Sequence, residues 1–142
     1  MRNIIPYGRQ FIDKFDINEV SKILKKDFIT QGAVVERFEK KFANKVGSKY
    51  AIAVSSCSAG LHLSCLIYSK RKFKNIVTSP ITFASTANAI FHSGKKPIFC
   101  DINSQDANIS PAKLKLTLKN KNIGGGIPVH FAGNTCDMKT IK

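Results

Sequence analysis

Apolar positions along the chain change period near residue 50, and that change divides it into two kinds of element. Before it the spacing is helical. "DINEV" offers Asp16 as N-cap with Glu19 three residues on, and Val20, Ile23 and Leu24 continue a stripe to about Lys26. "DFITQG" interrupts it, and a second helix follows with Val35, Phe38, Phe42 and Val46 on one face and Gly47 as its stop. After it, short apolar runs alternate with helical ones. "YAIAV" predicts a buried strand, then a helix from about Ser58 to Tyr68, then the strand "NIVTS". "TFASTANAIFHSG" predicts a helix closed by Gly94, and "PIFCDI" a third strand. In "SPAKLKLTLK", Ser110 as N-cap and Pro111 at the first position argue for a helix, although Leu114, Leu116 and Leu118 alternate with period two. "GIPVHFAG" predicts the last strand.

Strands alternating with helices predict an α/β fold with a mostly parallel sheet and flanking helices. Sheets of that kind take ligands beyond the C-terminal ends of their strands. "SSCSAG", "SPITF" and "HFAG" each follow a predicted strand, so the pattern places them on one rim. Composition narrows the class. The 142 residues are 43% hydrophobic, enough for one packed core. No apolar run approaches the roughly 20 residues of a membrane span, and "MRNIIPYGRQ" has no secretory h-region, so a soluble cytoplasmic protein is expected. Cys57, Cys65, Cys100 and Cys136 form no C-x-x-C pair, which predicts reduced, mostly buried thiols and no structural metal. The net charge of +14 raises nucleic-acid binding, but the lysines are spread along the chain and no recognised binding module accompanies them. The densest cluster, "SKRKFK", falls between a predicted helix and strand, where a solvated loop accounts for it.

Three stretches carry candidate chemistry. In "SSCSAG" a helix start presents unpaired N–H groups and about half a positive charge, which favours an anion, and Ser58 adds a hydroxyl. It is not a Walker loop, and small residues at such a corner serve tight packing as readily. In "SPITFASTANAI", Phe83 follows the turn made by Pro80 and offers a plate for a flat heteroaromatic ring, worth about 0.5–1.5 kcal/mol beyond area burial. Core packing is the competing use of that ring, and Asn88 suits a pocket or a helix surface equally. His130 ends the last predicted strand on the same rim, with a structural role as its alternative, and Asp101 in "FCD" shares that ambiguity.

In this order, "IPYGRQ", "FITQG", "SSCSAGLHL", "SPITFASTAN", "CDI" and "PVHFAG-x-x-CDM" resemble the sugar aminotransferases of the DegT/DnrJ/StrS type, from about Ile4 to the last residue. Within that family the chain is most similar to transaminases of pseudaminic acid biosynthesis, which aminate a UDP-linked 4-keto-6-deoxy-N-acetylhexosamine. The resemblance implies the N-terminal part of a type I pyridoxal-phosphate transferase large domain, truncated. An arm and first helix would occupy 1–30 and the incomplete cofactor domain 31–142. It implies that Cys57, Ser58 and Ala59 hold the phosphate of pyridoxal 5'-phosphate, that Phe83 stacks on the pyridine, and that His130 lies beside cofactor and substrate. Tyr7, Asp27, Phe28, Ile29, Thr30 and Cys57 would contact the nucleotide-sugar. Glutamate as amino donor and a homodimer also follow from it.

The family's Schiff-base lysine and the carboxylate that pairs with the pyridine nitrogen lie downstream of Met138, and no lysine here matches the first. A truncated chain without transaminase activity is therefore expected. Gly124-Gly125-Gly126 is a further departure, because three glycines weaken a strand. Three other readings stay open: a dehydratase of the same fold, a standalone α/β module that binds nucleotide-sugar or nucleic acid without catalysis, and a fragment that only dimerises with an intact homologue.

Overall fold

The computed structural model describes residues 8–26, 28–30, 32–119 and 122–142, and its contacts fall into two units, 1–53 and 54–142. In the first, α1 runs over Lys14–Leu24 and α2 over Ala33–Val46. The α1 cap lies one turn earlier than expected. Asp13, not Asp16, is the N-cap: its carboxylate accepts from the N–H groups of Phe15 (2.7 Å) and Asp16 (3.0 Å). The Asp16 carboxylate answers by accepting from the Asp13 N–H at 3.1 Å, so Asp16 fills the third position of the box. The α2 stripe closes at Gly47, whose φ of 68° is the left-handed conformation a helix stop favours.

Residues 50–54 do not form the expected strand. Their alternation supplies two faces but no neighbour among the described residues supplies a ladder, and Ile52 stays 79% exposed. The segment is held instead by side chains: Ser48 Oγ donates to the Tyr50 carbonyl (2.7 Å), and the Ala53 N–H donates to Glu39 Oε1 (2.7 Å).

The second unit holds α3 (Cys57–Ser69), β1 (Asn75–Thr78), α4 (Ala84–His92), β2 (Lys96–Phe99), α5 (Pro111–Thr117), β3 (Ile123–Ile127), a 3-10 turn (Phe131–Gly133) and α6 (Met138–Ile141). The strands form a parallel sheet in the order β2-β1-β3, as the alternation of elements predicts. All four β1 residues are buried, and consecutive side chains leave on opposite faces. Ile76 packs with Cys65, Ala89 and Ile90 of α3 and α4. Val77 packs on the other face with Cys100, Ile109, Leu114 and Cys136. Helices thus cover both faces. Three of the four thiols are in these cores, and burial pushes the Cys65 thiol up from its ordinary value; Cys57 is exposed. Among the described residues no helix is long and apolar enough to cross a membrane.

The competition within "SPAKLKLTLK" resolves as a helix. Ser110 Oγ accepts the Lys113 N–H (3.4 Å), Leu114 is buried, and Leu116 and Leu118 face out. β2 is shorter than predicted, ending at Phe99, and Ile102 bridges to Ile109 outside it.

The last strand sits three residues before the expected "GIPVHFAG" and contains the glycine triplet. Its position follows from Phe73. A Cβ on Gly124 would meet the Phe73 ring at 1.8 Å, and one on Gly126 would lie 3.0 Å from Val77 Cγ1. The register skips Gly124, with Asn75 opposite Ile123 and Ile76 opposite Gly125. Glycine here admits a ring against the backbone, and the irregularity falls where the ring sits. Buried Lys95 completes the contact: its Nζ lies 5.0 Å from the Phe73 ring centroid and donates to the carbonyls of Arg71 (2.7 Å) and Phe73 (2.8 Å).

Adding a methyl group at two adjacent glycines separates fit from flexibility. Gly124→Ala is expected to destabilise by about 1–3 kcal/mol in urea unfolding, as overpacking does. Gly125→Ala, with nothing within 4 Å of its Cβ, is expected to be neutral or slightly stabilising.

Candidate functional site

In a parallel sheet every strand ends on the same edge, so the segments after β1, β2 and β3 share one rim. Thr78 ties that rim together. It is fully buried, its carbonyl accepts the Cys100 N–H (2.9 Å) and its hydroxyl donates to the Ile127 carbonyl (2.9 Å). Beyond Thr78 the chain turns at Ser79-Pro80, where Ser79 Oγ accepts the Ile81 N–H (3.2 Å). The Thr82 and Thr86 hydroxyls then meet at 2.8 Å, and Phe83 caps α4 with its ring 80% exposed. That exposure answers the question left by the sequence: the Phe83 ring is not part of the core of this unit.

α3 reaches the same edge from outside the sheet. Its C-terminal end leads through residues 70–74 into the start of β1, and it packs alongside α4, so its N-terminus faces the rim. Ser56, which the sequence reading passed over, is the N-cap, and its Oγ accepts the Ala59 N–H at 3.1 Å. A serine just before the predicted helix start was the available signal. The N–H groups of Cys57 and Ser58 have no partner among the described residues, and the first turn has no acidic residue. Cys57 and Ser58 are exposed, Ala59 half-buried. The donor set suits an oxyanion: two main-chain N–H groups, one hydroxyl and the positive end of a 13-residue helix. Between α3 and α4 lies a groove of about 380 Å3 lined by Ser58, His62, Ser85, Asn88 and His92. Asn88 therefore serves a groove, and the His62 and His92 rings meet edge-on across it, 6.1 Å apart.

His130 follows β3 on the rim. Its Nδ1 accepts the Cys136 N–H at 3.0 Å, and Cys136 Sγ donates to the Val129 carbonyl at 3.1 Å. Asp101, after β2, is exposed. Its carboxylate pairs with the Lys113 ammonium and accepts the Ile102 N–H at 2.8 Å, and these contacts, Lys113 foremost, hold it below the ordinary carboxylate value. Asp101 is therefore engaged in the loop that leads to α5.

The residues singled out near the N-terminus belong to the first unit. Tyr7 and Asp27 lie outside the described residues. Phe28 lines a cleft of about 780 Å3 with Lys25, Lys26 and Gly32, and Ile29 and Thr30 are exposed. Among the described residues no three His, Cys, Asp or Glu side chains gather as a metal site would require.

Comparison with known proteins identifies the family and the fold. The model of the DegT/DnrJ/EryC1/StrS aminotransferase family matches residues 10–142. The spore coat polysaccharide biosynthesis protein SpsC of Bacillus subtilis is 41% identical over 141 residues, covering 98% of this chain and 36% of that protein. The UDP-4-amino-4,6-dideoxy-N-acetyl-beta-L-altrosamine transaminase of Campylobacter jejuni is 37% identical over 141 residues, covering 98% of this chain and 37% of its own length. Among solved structures, Helicobacter pylori PseC, an aminotransferase of pseudaminic acid biosynthesis, superposes with a TM-score of 0.87 at 28% identity, over 96% of this chain and 37% of PseC. This chain thus spans little more than a third of these proteins.

Two substitutions test the local assignments. Ser56→Ala removes the α3 cap and is expected to cost about 1 kcal/mol in denaturant unfolding. Lys113→Gln is expected to raise the Asp101 titration midpoint toward its ordinary 3.8, read by carboxyl NMR. The sign follows from the lowered folded value: the stabilisation is present above the unfolded midpoint and lost as pH falls through the folded one.

Proposed function

We propose that this chain, which belongs to the DegT/DnrJ/EryC1/StrS aminotransferase family, forms the N-terminal cofactor- and substrate-binding part of a pyridoxal-phosphate-dependent sugar transaminase. The substrate of the whole enzyme is a UDP-linked 4-keto-6-deoxy-N-acetylhexosamine on the route to pseudaminic acid or a related surface sugar, and glutamate is the amino donor. The names of the Campylobacter and Helicobacter relatives support this substrate class. One structural observation carries the reading: the acid-free N-terminus of α3 lies on the same sheet edge as the exposed Phe83 ring and His130.

Each residue has a role in binding or orientation. The N–H groups of Cys57 and Ser58 and the Ser58 hydroxyl hold the coenzyme phosphate. Ala59 is small enough to let that phosphate approach, and its own N–H is spent on Ser56. Phe83 lies against the pyridine ring and keeps water from that face, and His130 contacts the ring's edge or the substrate beside it. Tyr7, Asp27, Phe28, Ile29, Thr30 and Cys57 contact the nucleotide-sugar. The coenzyme, when bound, supplies the electron sink for amino-group transfer. The enzyme works as a homodimer in the cytoplasm, with residues 1–30 as an arm and first helix and 31–142 as part of the large domain.

A non-catalytic module for nucleotide-sugar or nucleic acid is the second reading. In its favour, exposed Lys70, Arg71, Lys72, Lys74 and Lys96 gather at the opposite edge of the sheet, where the Lys96 N–H donates to the Lys74 carbonyl at 2.8 Å.

Pyridoxine 5'-phosphate tests the site, because it lacks the aldehyde that would condense with surface lysines. Calorimetry is expected to show binding that is lost when unphosphorylated pyridoxine is used instead. Ser58→Ala should weaken it roughly ten- to a hundredfold, the value of one hydrogen bond to a charged group. Equal binding with and without the phosphate would refute the site, and salt-sensitive DNA binding with no coenzyme uptake would support the second reading.

The 142-residue chain is expected to make no amino sugar from glutamate and the 4-keto UDP-sugar, because no lysine within it matches the one this family uses. Product formation by that chain would overturn this.

A further inference from the structure

The geometry points to Asn108 as a positioning residue that sets His130 as a directional hydrogen-bond donor toward the ligand rim. Asn108 is 3% exposed and lies far from His130 in sequence, between β2 and α5. Both ends of its side chain are used. Oδ1 accepts the Phe131 N–H (3.0 Å), and Nδ2 donates to the Asn134 carbonyl (3.2 Å). These two groups flank the 3-10 turn after His130, in which Ala132 takes a φ of 52° that non-glycine residues rarely adopt.

Asn108 is itself anchored. Its N–H donates to Asp106 Oδ1 (3.0 Å), its carbonyl accepts the Asn103 N–H (2.8 Å), and Ala107 before it has a φ of 57°. One strained position thus adjoins Asn108 in the chain, and the other lies in the turn that its side chain holds. The Asn108 contacts over-determine the turn that would otherwise relax.

The consequence reaches His130 through Cys136. Held by the turn, the chain returns so that the Cys136 N–H donates to His130 Nδ1 (3.0 Å) and buried Cys136 anchors to Val129 through its thiol (3.1 Å). Because Nδ1 accepts, the ring proton of the neutral imidazole resides on Nε2. The free edge of the ring then presents an N–H. It recognises an acceptor, such as a carbonyl or phenolate oxygen, rather than taking a proton from a donor. That the ligand is the coenzyme or its sugar partner rests on the function proposed above; the Asn108–His130 linkage does not.

The test uses the 142-residue chain labelled with 15N-histidine, whose three histidines are His62, His92 and His130. In the wild type the His130 resonances should report protonated Nε2 and unprotonated Nδ1. Asn108→Asp keeps the acceptor for Phe131 but sets an oxygen against the Asn134 carbonyl. It should give mixed His130 tautomers and at least about tenfold faster exchange of the Cys136 amide, with the β1 amides of Ile76 and Val77 unchanged. Asn108→Ser is the second variant if the first does not fold.

Pyridoxine 5'-phosphate binding supplies the ligand arm. His130→Ala and Asn108→Asp should each weaken it about tenfold, and the double variant no more than His130→Ala alone, which marks a shared effect. A wild-type Nδ1–H tautomer overturns the inference. So does a folded Asn108 variant with unchanged tautomer and Cys136 exchange. A wild type that binds no pyridoxine 5'-phosphate refutes the coenzyme reading instead, while the tautomer and exchange measurements still decide the Asn108–His130 linkage.

Discussion

The two hydrogen bonds of Thr78 hold the candidate site together. Its carbonyl takes an N–H from the residue after β2 and its hydroxyl gives to the last residue of β3. With no exposure to water, neither group has a substitute partner, so losing one would leave a buried polar group unpaired. Phe83, Asp101 and His130 depart from these three strand ends, whereas α3 reaches the rim from outside the sheet. Phe83 is five residues past one of them, Asp101 two past another and His130 three past the third. The strand ends are aligned by this knot, and the loops inherit that alignment.

Burial on both faces of β1 explains why so short a sheet can be specific. Ile76 and Val77 are neighbours in sequence yet belong to different cores, and a one-residue slip would exchange them. The Phe73–Gly124 contact adds a second restraint on register, since only a residue without Cβ can lie opposite that ring. Lys95 then seals the entry to β1 by donating to two carbonyls that precede it. Within the triplet, Gly124 and Gly126 lie where a Cβ would meet Phe73 and Val77.

Polar side chains do the fine positioning at the rim. Ser56 satisfies one orphan N–H of α3 and leaves those of Cys57 and Ser58 without a partner among the described residues, while Asn108 and the Cys136 amide arrange the segment that bears His130. The cationic edge lies at the other end of the same strands. Asp101, Asp106 and Asp137 all lie in segments that follow strand C-termini.

The order of helices and parallel strands after residue 57, the stops at Gly47 and Gly94, and the Ser110–Pro111 start of α5 were all determined by local sequence. Caps, helix period and glycine conformation act within a few residues, so they are readable without a partner. The family was legible for the same reason, as ordered short stretches. The absence of a ladder at residues 50–54 among the described residues, the position of β3 and the use of Asn108 were decided only by tertiary structure. A strand requires a neighbour, a glycine's purpose depends on the ring above it, and a buried amide's two partners lie more than twenty residues away. Periodicity carries no information about any of these, because each is a contact between segments that the sequence keeps apart.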